Sequence, residues 1–257
     1  MKVLADSYYL TLRGLRHLLR QPWYVALTLV QPIIQLVFYG QLFQKVVELP
    51  GFHAASYIDF LTPGIVVMSA LFSAGWTGMG LIVDMDRGVI DRFLVAPVSR
   101  ASIIVSRLMG AAFVTVVQSL ILFGLGALLG ARYPSGIGGF FILLIAAMLI
   151  SIPIGALSCA LGLTLRKSES VIGAANFVLL PLVFMSPVFM ATALMPDWMR
   201  AVARFNPVKW SVEAGRIALS GHADWSAIVL RLGCLFAFSL LAGWVATRAF
   251  RGYQISA

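Results

Sequence analysis

Six stretches of this chain are long and apolar enough to cross a bilayer as helices, and that requirement constrains the fold more than any motif. Each has about the 20 residues that the hydrocarbon core demands. They run Trp23 to Phe43, Leu61 to Val83, Ile103 to Leu129, Gly139 to Leu165, Val171 to Ala193 and Ala227 to Thr247. The expectation is an all-α polytopic membrane protein, a single transmembrane domain over residues 1–257 with six transmembrane helices. An even number of crossings puts both termini on one side. Residues 1–22 carry Lys2, Arg13, Arg16 and Arg20 among Leu10, Leu12, Leu15, Leu18 and Leu19, and read as a helix lying in the interface. Behind it come a bundle over 23–247 and a tail over 248–257. The first apolar run is too long for the core of a cleavable signal and no small-residue cleavage site closes it, so no leader is expected.

Composition agrees: 60% of the residues are hydrophobic and 11% charged, with a mean hydropathy of +0.94, which ordinary soluble domains do not reach. The net charge of +9 raises nucleic acid as a partner. The basic residues lie between apolar spans rather than on one face, so membrane orientation accounts for them and no nucleic-acid partner is expected. With the N-terminus inside, twelve of the 19 Lys and Arg residues fall on the cytoplasmic side. Both termini are thus expected in the cytoplasm. Four outward charges crowd between Pro196 and Arg216, where Trp198, Met199, Val202 and Phe205 alternate with Arg200 and Arg204. That segment reads equally as an external loop or as one that lies in the interface or re-enters the membrane. Cys159 and Cys234 sit in apolar runs, and His17, His53 and His222 are scattered, so no metal site is indicated.

All ten acidic residues lie outside the span centres, whereas ion-coupled carriers keep ionisable groups near the midplane despite their cost. No glycine is followed by lysine, so no GxxxxGK[ST] phosphate cradle exists in the chain. Neither paired carboxylates nor a nucleophile with its base point to an enzyme. Polar groups within the spans are amides and hydroxyls. Gln31, Gln35, Gln118 and Asn176 are candidates to line a pathway, with hydrogen bonding between helices as the other reading. Pro32, Pro153, Pro181 and Pro187 predict kinks, which suit a pathway but are also common in bundles. Gly126 and Gly130 form a GxxxG that hints at close helix packing.

The one strongly charged island between spans is DMDRGVIDRFLVAPVSR, Asp84 to Arg100, between the second and third. On a helix Ile90, Phe93 and Leu94 share one face and Arg87, Asp91 and Arg92 the other, with Pro97 as the stop. That pattern suits a short helix lying against another surface, or a solvated connector whose arginines fix orientation.

Together with that loop, QPII from Gln31, FYGQLF from Phe38, YIDFLTPGIVVM from Tyr57, the region from Gln118 to Gly130, and NPVKWSVEAGRIALSG from Asn206 resemble the type 2 ATP-binding-cassette exporter permeases. The likeness is greatest to the daunorubicin-resistance group of multidrug permeases and covers nearly the whole chain. It implies an export subunit of a bacterial inner membrane, without an ATPase site of its own. Two such chains would pair, as a homodimer or with a related second permease chain, in contact with membrane lipid. Separate cytoplasmic ATPase subunits would bind ATP and magnesium, and this chain would bind no cofactor. The resemblance also makes the charged loop a cytoplasmic coupling helix that touches the ATPase, with Asp84, Asp86, Arg87, Gly88, Asp91, Arg92, Phe93 and Pro97 as its residues. The expected cargo is an amphiphilic drug, lipid or glycoconjugate. An ion-coupled secondary transporter or channel is the competing reading.

Overall fold

The computed structural model describes residues 9, 11, 12, 14, 16, 22–49, 52, 54–88, 100–165, 167–221 and 224–256. Nine helices carry the described fold: α1 (Pro22–Leu42), α2 (Tyr57–Gly75), α3 (Thr77–Asp86), α4 (Arg100–Leu128), α5 (Gly136–Leu165), α6 (Ser168–Phe184), α7 (Asp197–Ala203), α8 (Pro207–Leu219) and α9 (Trp225–Ser256). No strand occurs among the described residues. Four runs among them are long and apolar enough to cross a membrane: Tyr57–Asp86, Val105–Leu128, Gly136–Leu165 and Trp225–Ala246. Two further apolar helical segments, Ala26–Leu42 and Ser168–Phe184, are shorter. Of the expected interfacial helix, Tyr9, Thr11, Leu12, Gly14 and Arg16 are described, and all five are helical.

At the centre lie α2 and α5. Nearly every residue of α2 is buried, and α5 packs against α2, α3, α4, α8 and α9. The core therefore runs from Leu61, Ile65 and Leu71 to Leu143, Ala147 and Ile150. By contrast α1, α6 and α9 turn Phe38, Phe177 and Leu240 outward, as helices on the rim of a membrane bundle do.

The prolines act through the hydrogen bonds they omit. Pro153 has no N–H for the Leu149 carbonyl four residues back; the Ser239 hydroxyl of α9 donates to that carbonyl at 2.8 Å instead. The fifth expected span is corrected: α6 stops at Phe184, and Met185 to Ala193 continue mostly as turns rather than as helix. Pro187 cannot donate to Val183, and a proline disfavours the helical region for the residue before it, here Ser186. Ser186 compensates with its own N–H at 3.1 Å and its hydroxyl at 2.6 Å, both to the Val183 carbonyl.

Where α2 meets α3 the helix breaks at Trp76 with no proline. Met79 N–H donates to the Trp76 carbonyl, which leaves the Gly75 carbonyl and the Gly78 N–H outside the helical ladder. The Ser158 hydroxyl of α5 serves both: it donates to the Gly75 carbonyl and accepts from Gly78 N–H at 3.0 Å. Small residues permit that approach. A Cβ on Gly162 would lie 2.8 Å from the Gly78 carbonyl oxygen, and one on Gly78 would overlap Ser158. The GxxxG at the end of α4 divides its labour. Gly126 packs against Thr62 and Tyr133, whereas Gly130, at φ +98°, ends the helix: its N–H meets the Ala127 carbonyl and Ala131 N–H the Gly126 carbonyl.

The segment from Pro196 to Arg216 is no plain loop. α8 runs antiparallel to the first half of α5, with Gly215 against Leu143 and Gly139 against Ala218. Its buried face is Val208, Ser211, Val212, Gly215, Ala218 and Leu219. On α7, Trp198 and Val202 are exposed. Asp224 caps α9 by accepting from the Ser226 hydroxyl and from Ser226 and Ala227 N–H; the Ser226 hydroxyl above all holds its carboxyl below the ordinary 3.8.

Candidate functional site

A cleft with several polar side chains in its wall lies between α1, α2 and α4. On α1, Thr28, Gln31, Pro32 and Gln35 recur at the spacing of one helix face, and on α2 Met68, Ser69, Phe72 and Ser73 do the same, continued by Trp76. Gln118 of α4 closes the third side. Three of the four amides expected to line a pathway thus converge. Asn176 stands apart on α6 and is not among the residues that line the cleft.

Gln118 is 1% exposed, and its Nε2 donates to the Thr28 hydroxyl at 3.0 Å. Its carbonyl oxygen, the Gln35 Oε1 and the Trp76 indole N–H are buried without a partner. Unpaired buried polar atoms are costly because each forfeits its hydration; others lie on Thr115, Ser119, Arg200 and Ser211, but the three residues here line one cavity of about 30 Å³. A larger cavity of about 330 Å³ lies between α2, α5, α6 and α9. Its walls are almost wholly apolar, and the hydroxyls it includes are spent: Ser158 on Gly75, Thr164 on the Ala160 and Leu161 carbonyls. Unspent hydrogen-bonding atoms are thus found at the residues of the small cleft and not in the walls of the larger cavity.

At one end of the bundle α3 ends at the charged loop. The Asp84 carboxylate pairs with Arg107 of α4, so this loop residue fastens the two arms that flank the island. Asp86 and Arg87 are exposed. Gly88, at φ +64°, gives α3 its left-handed stop, and its N–H meets the Met85 carbonyl at 2.9 Å. Asp91, Arg92, Phe93 and Pro97 lie outside the described residues.

Toward the other end, the quoted sequence motifs resolve into joints. Ser56 and Asp59 form a reciprocal cap on α2, and the second Asp59 oxygen accepts from Arg132 N–H at 2.7 Å. Asn206 caps α8 through Val208 N–H at 2.9 Å. Its Nδ2 reaches the Leu182 carbonyl at 2.6 Å and the Met185 carbonyl at 3.2 Å, both left over where α6 ends. Arg216 lies 3.4 Å from the centre of the Phe60 ring and donates to the Phe60 carbonyl at 3.0 Å and the Val188 carbonyl at 3.2 Å. Glu213 accepts from Arg231 of α9 at 3.0 Å, with Lys209 at 3.7 Å. Among the described residues no group of His, Cys, Asp and Glu could hold a metal ion.

The sequence model of the ABC-2 type transporter family matches residues 7–219. The chain belongs to that family. Among similar proteins, the daunorubicin resistance ABC transporter permease protein DrrB1 of Streptomyces coeruleorubidus is 33% identical over 173 residues, 66% of this chain and 60% of that relative. A putative transport permease, ycf38, of Cyanophora paradoxa is 30% identical over 226 residues, 86% of this chain and 76% of the relative. The probable doxorubicin resistance ABC transporter permease protein DrrC of Mycobacterium tuberculosis is 26% identical over 161 residues, 61% of this chain and 56% of its own length. This permease thus spans less than two thirds of the two drug-resistance relatives. These relatives carry the names of ABC transporter or transport permeases.

Thr28, Ser69, Ser73 and Trp76 were not singled out from sequence. The periodicity of Thr28, Gln31 and Gln35 was a readable signal, since three polar residues on one face of an apolar helix need a polar neighbour.

Proposed function

We propose that the chain is the membrane-spanning subunit of an ATP-driven exporter in a bacterial inner membrane, moving an amphiphilic drug, lipid or glycoconjugate out of the cytoplasm or its leaflet. The observation that carries this reading is an uncharged, hydrogen-bonding cleft within an apolar bundle of the ABC-2 family: it suits a cargo with an apolar body and a polar group better than a bare ion. In this reading α1 and α6 complete six crossings, both termini face the cytoplasm, and α8 re-enters from the outer side along α5. The loop from Asp84 to Arg100 is the coupling helix. Asp86, Arg87, Asp91 and Arg92 meet the ATPase while Phe93 packs on the permease, and the Asp84–Arg107 pair passes the closing motion into α3 and α4.

Two permease chains and two ATPase subunits form the working complex. ATP and magnesium bind at the ATPase, and this chain supplies the route. The test is reconstitution: liposomes holding the permease alone show no uphill transport under a proton or sodium gradient, and the partner ATPase with ATP and magnesium restores export. Accumulation driven by a gradient through the isolated chain would overturn this reading in favour of a secondary transporter.

A further inference from the structure

We infer that the cleft between α1, α2 and α4 is a binding site for one uncharged hydroxyl group, carried by an amphiphile whose carbon body lies along Pro32, Met68 and Phe72. The inference rests on reading the cleft as part of the transport route and adds the chemical class of the group recognised there. Its basis is the set of polar atoms that lack partners: two amide carbonyl oxygens, on Gln35 and Gln118, and one indole N–H, on Trp76. A hydroxyl both donates and accepts. It gives its proton to a carbonyl oxygen and takes the Trp76 N–H on a lone pair, and it can pair with a glutamine amide turned either way.

Charged groups fail on the same count. An ammonium has donors alone and leaves the indole N–H unpaired; a carboxylate has acceptors alone and faces two carbonyl oxygens. No acidic or basic residue lines the cleft to compensate either charge. Size agrees as well. The cavity of about 30 Å³ has room for two or three waters at roughly 10–15 Å³ each, and so for a hydroxyl that displaces them while its chain leaves past Gln31, the exposed member of the α1 stripe.

The test uses the whole permease in lipid nanodiscs, without any ATPase, and three probes with the same chain: dodecanol, dodecylammonium and laurate. Binding is followed by tryptophan emission. Dodecanol is expected to bind at least about fivefold more tightly than either charged probe, the worth of about one hydrogen bond. Gln35→Leu, which removes an orphaned oxygen and keeps bulk, should lower dodecanol affinity about fivefold while thermal stability stays level or rises; Trp76→Phe, which removes the orphaned N–H with some loss of bulk, should lower dodecanol affinity by a similar factor. A merely structural role for these groups would lower stability instead. Equal binding of the three probes to the unaltered chain, or a preference for the ammonium, overturns the inference with no variant needed. So does unchanged dodecanol affinity in both variants. Selective dodecanol binding together with failed ATP-dependent export would sink the exporter reading and leave the hydroxyl site standing.

Discussion

Replacing Ser158 with alanine removes one oxygen atom and leaves two backbone groups without partners. The Gly75 carbonyl and the Gly78 N–H are both outside the helical ladder at Trp76, and both are served by that hydroxyl. Ser158 is 3% exposed, so water does not take over. Interhelical hydrogen bonds in membranes average about 0.6 kcal/mol and reach about 1.7 kcal/mol, so losing two costs about 1–3 kcal/mol. Two controls set the scale. Ser239→Ala removes one bond to the Leu149 carbonyl that Pro153 leaves open and should cost about half as much. Ser151→Ala loses a bond within its own turn, to Met148, and should stay within about 0.5 kcal/mol. Reversible unfolding in mixed micelles with increasing dodecyl sulfate, followed by tryptophan emission, reads all three. A Ser158→Ala protein within about 0.5 kcal/mol of the parent would refute the argument that this hydroxyl carries the helix break.

Gly78→Ala puts a methyl group into the Ser158 carbonyl and should destabilise by about 1–3 kcal/mol in the same unfolding assay, whereas Gly173→Ala, with open space around it, should be neutral or stabilising. Asn206→Ala loses the α8 cap and the links to Leu182 and Met185; a loss of about 1–2 kcal/mol is expected, and increased proteolysis between α6 and α8 would accompany it. For topology, single cysteines at positions 45 and 87, in a background lacking Cys159 and Cys234, should label from outside at 45 only with an impermeant thiol reagent on intact cells; labelling at 87 alone reverses the orientation.

Hydropathy made the long helices legible, because α4, α5 and α9 are long apolar runs, and in α5 the carbonyl that Pro153 leaves open is served by Ser239. It overextended the fifth span, since averaging over a window ignores what Pro187 does to the carbonyl of Val183. α8 was open to a closer reading: Asn206 and Pro207 make a helix start, and Val208, Val212, Gly215 and Leu219 follow at helical spacing. Its Lys209, Glu213 and Arg216 drew the eye to charge and hid the stripe. The cleft was half visible. Gln31, Gln35 and Gln118 stood out as polar residues in apolar runs, but Ser69, Ser73 and Trp76 gain meaning only when α2 crosses α1 and α4. The break at Trp76 was not legible, because its cause is a hydroxyl about 80 residues further along the chain.

The Asn206 and Arg216 links have a consequence for how the chain is made. Carbonyls of Leu182, Met185, Val188 and Phe60 find their donors on side chains of Asn206 and Arg216, which are synthesised after all four. Buried carbonyls without partners are costly, so the joint at the end of α6 is complete only once α8 has been made. A chain halted before Asn206 is therefore an unstable biosynthetic intermediate with two open joints, and quality-control proteases should find it at the turn after Phe184.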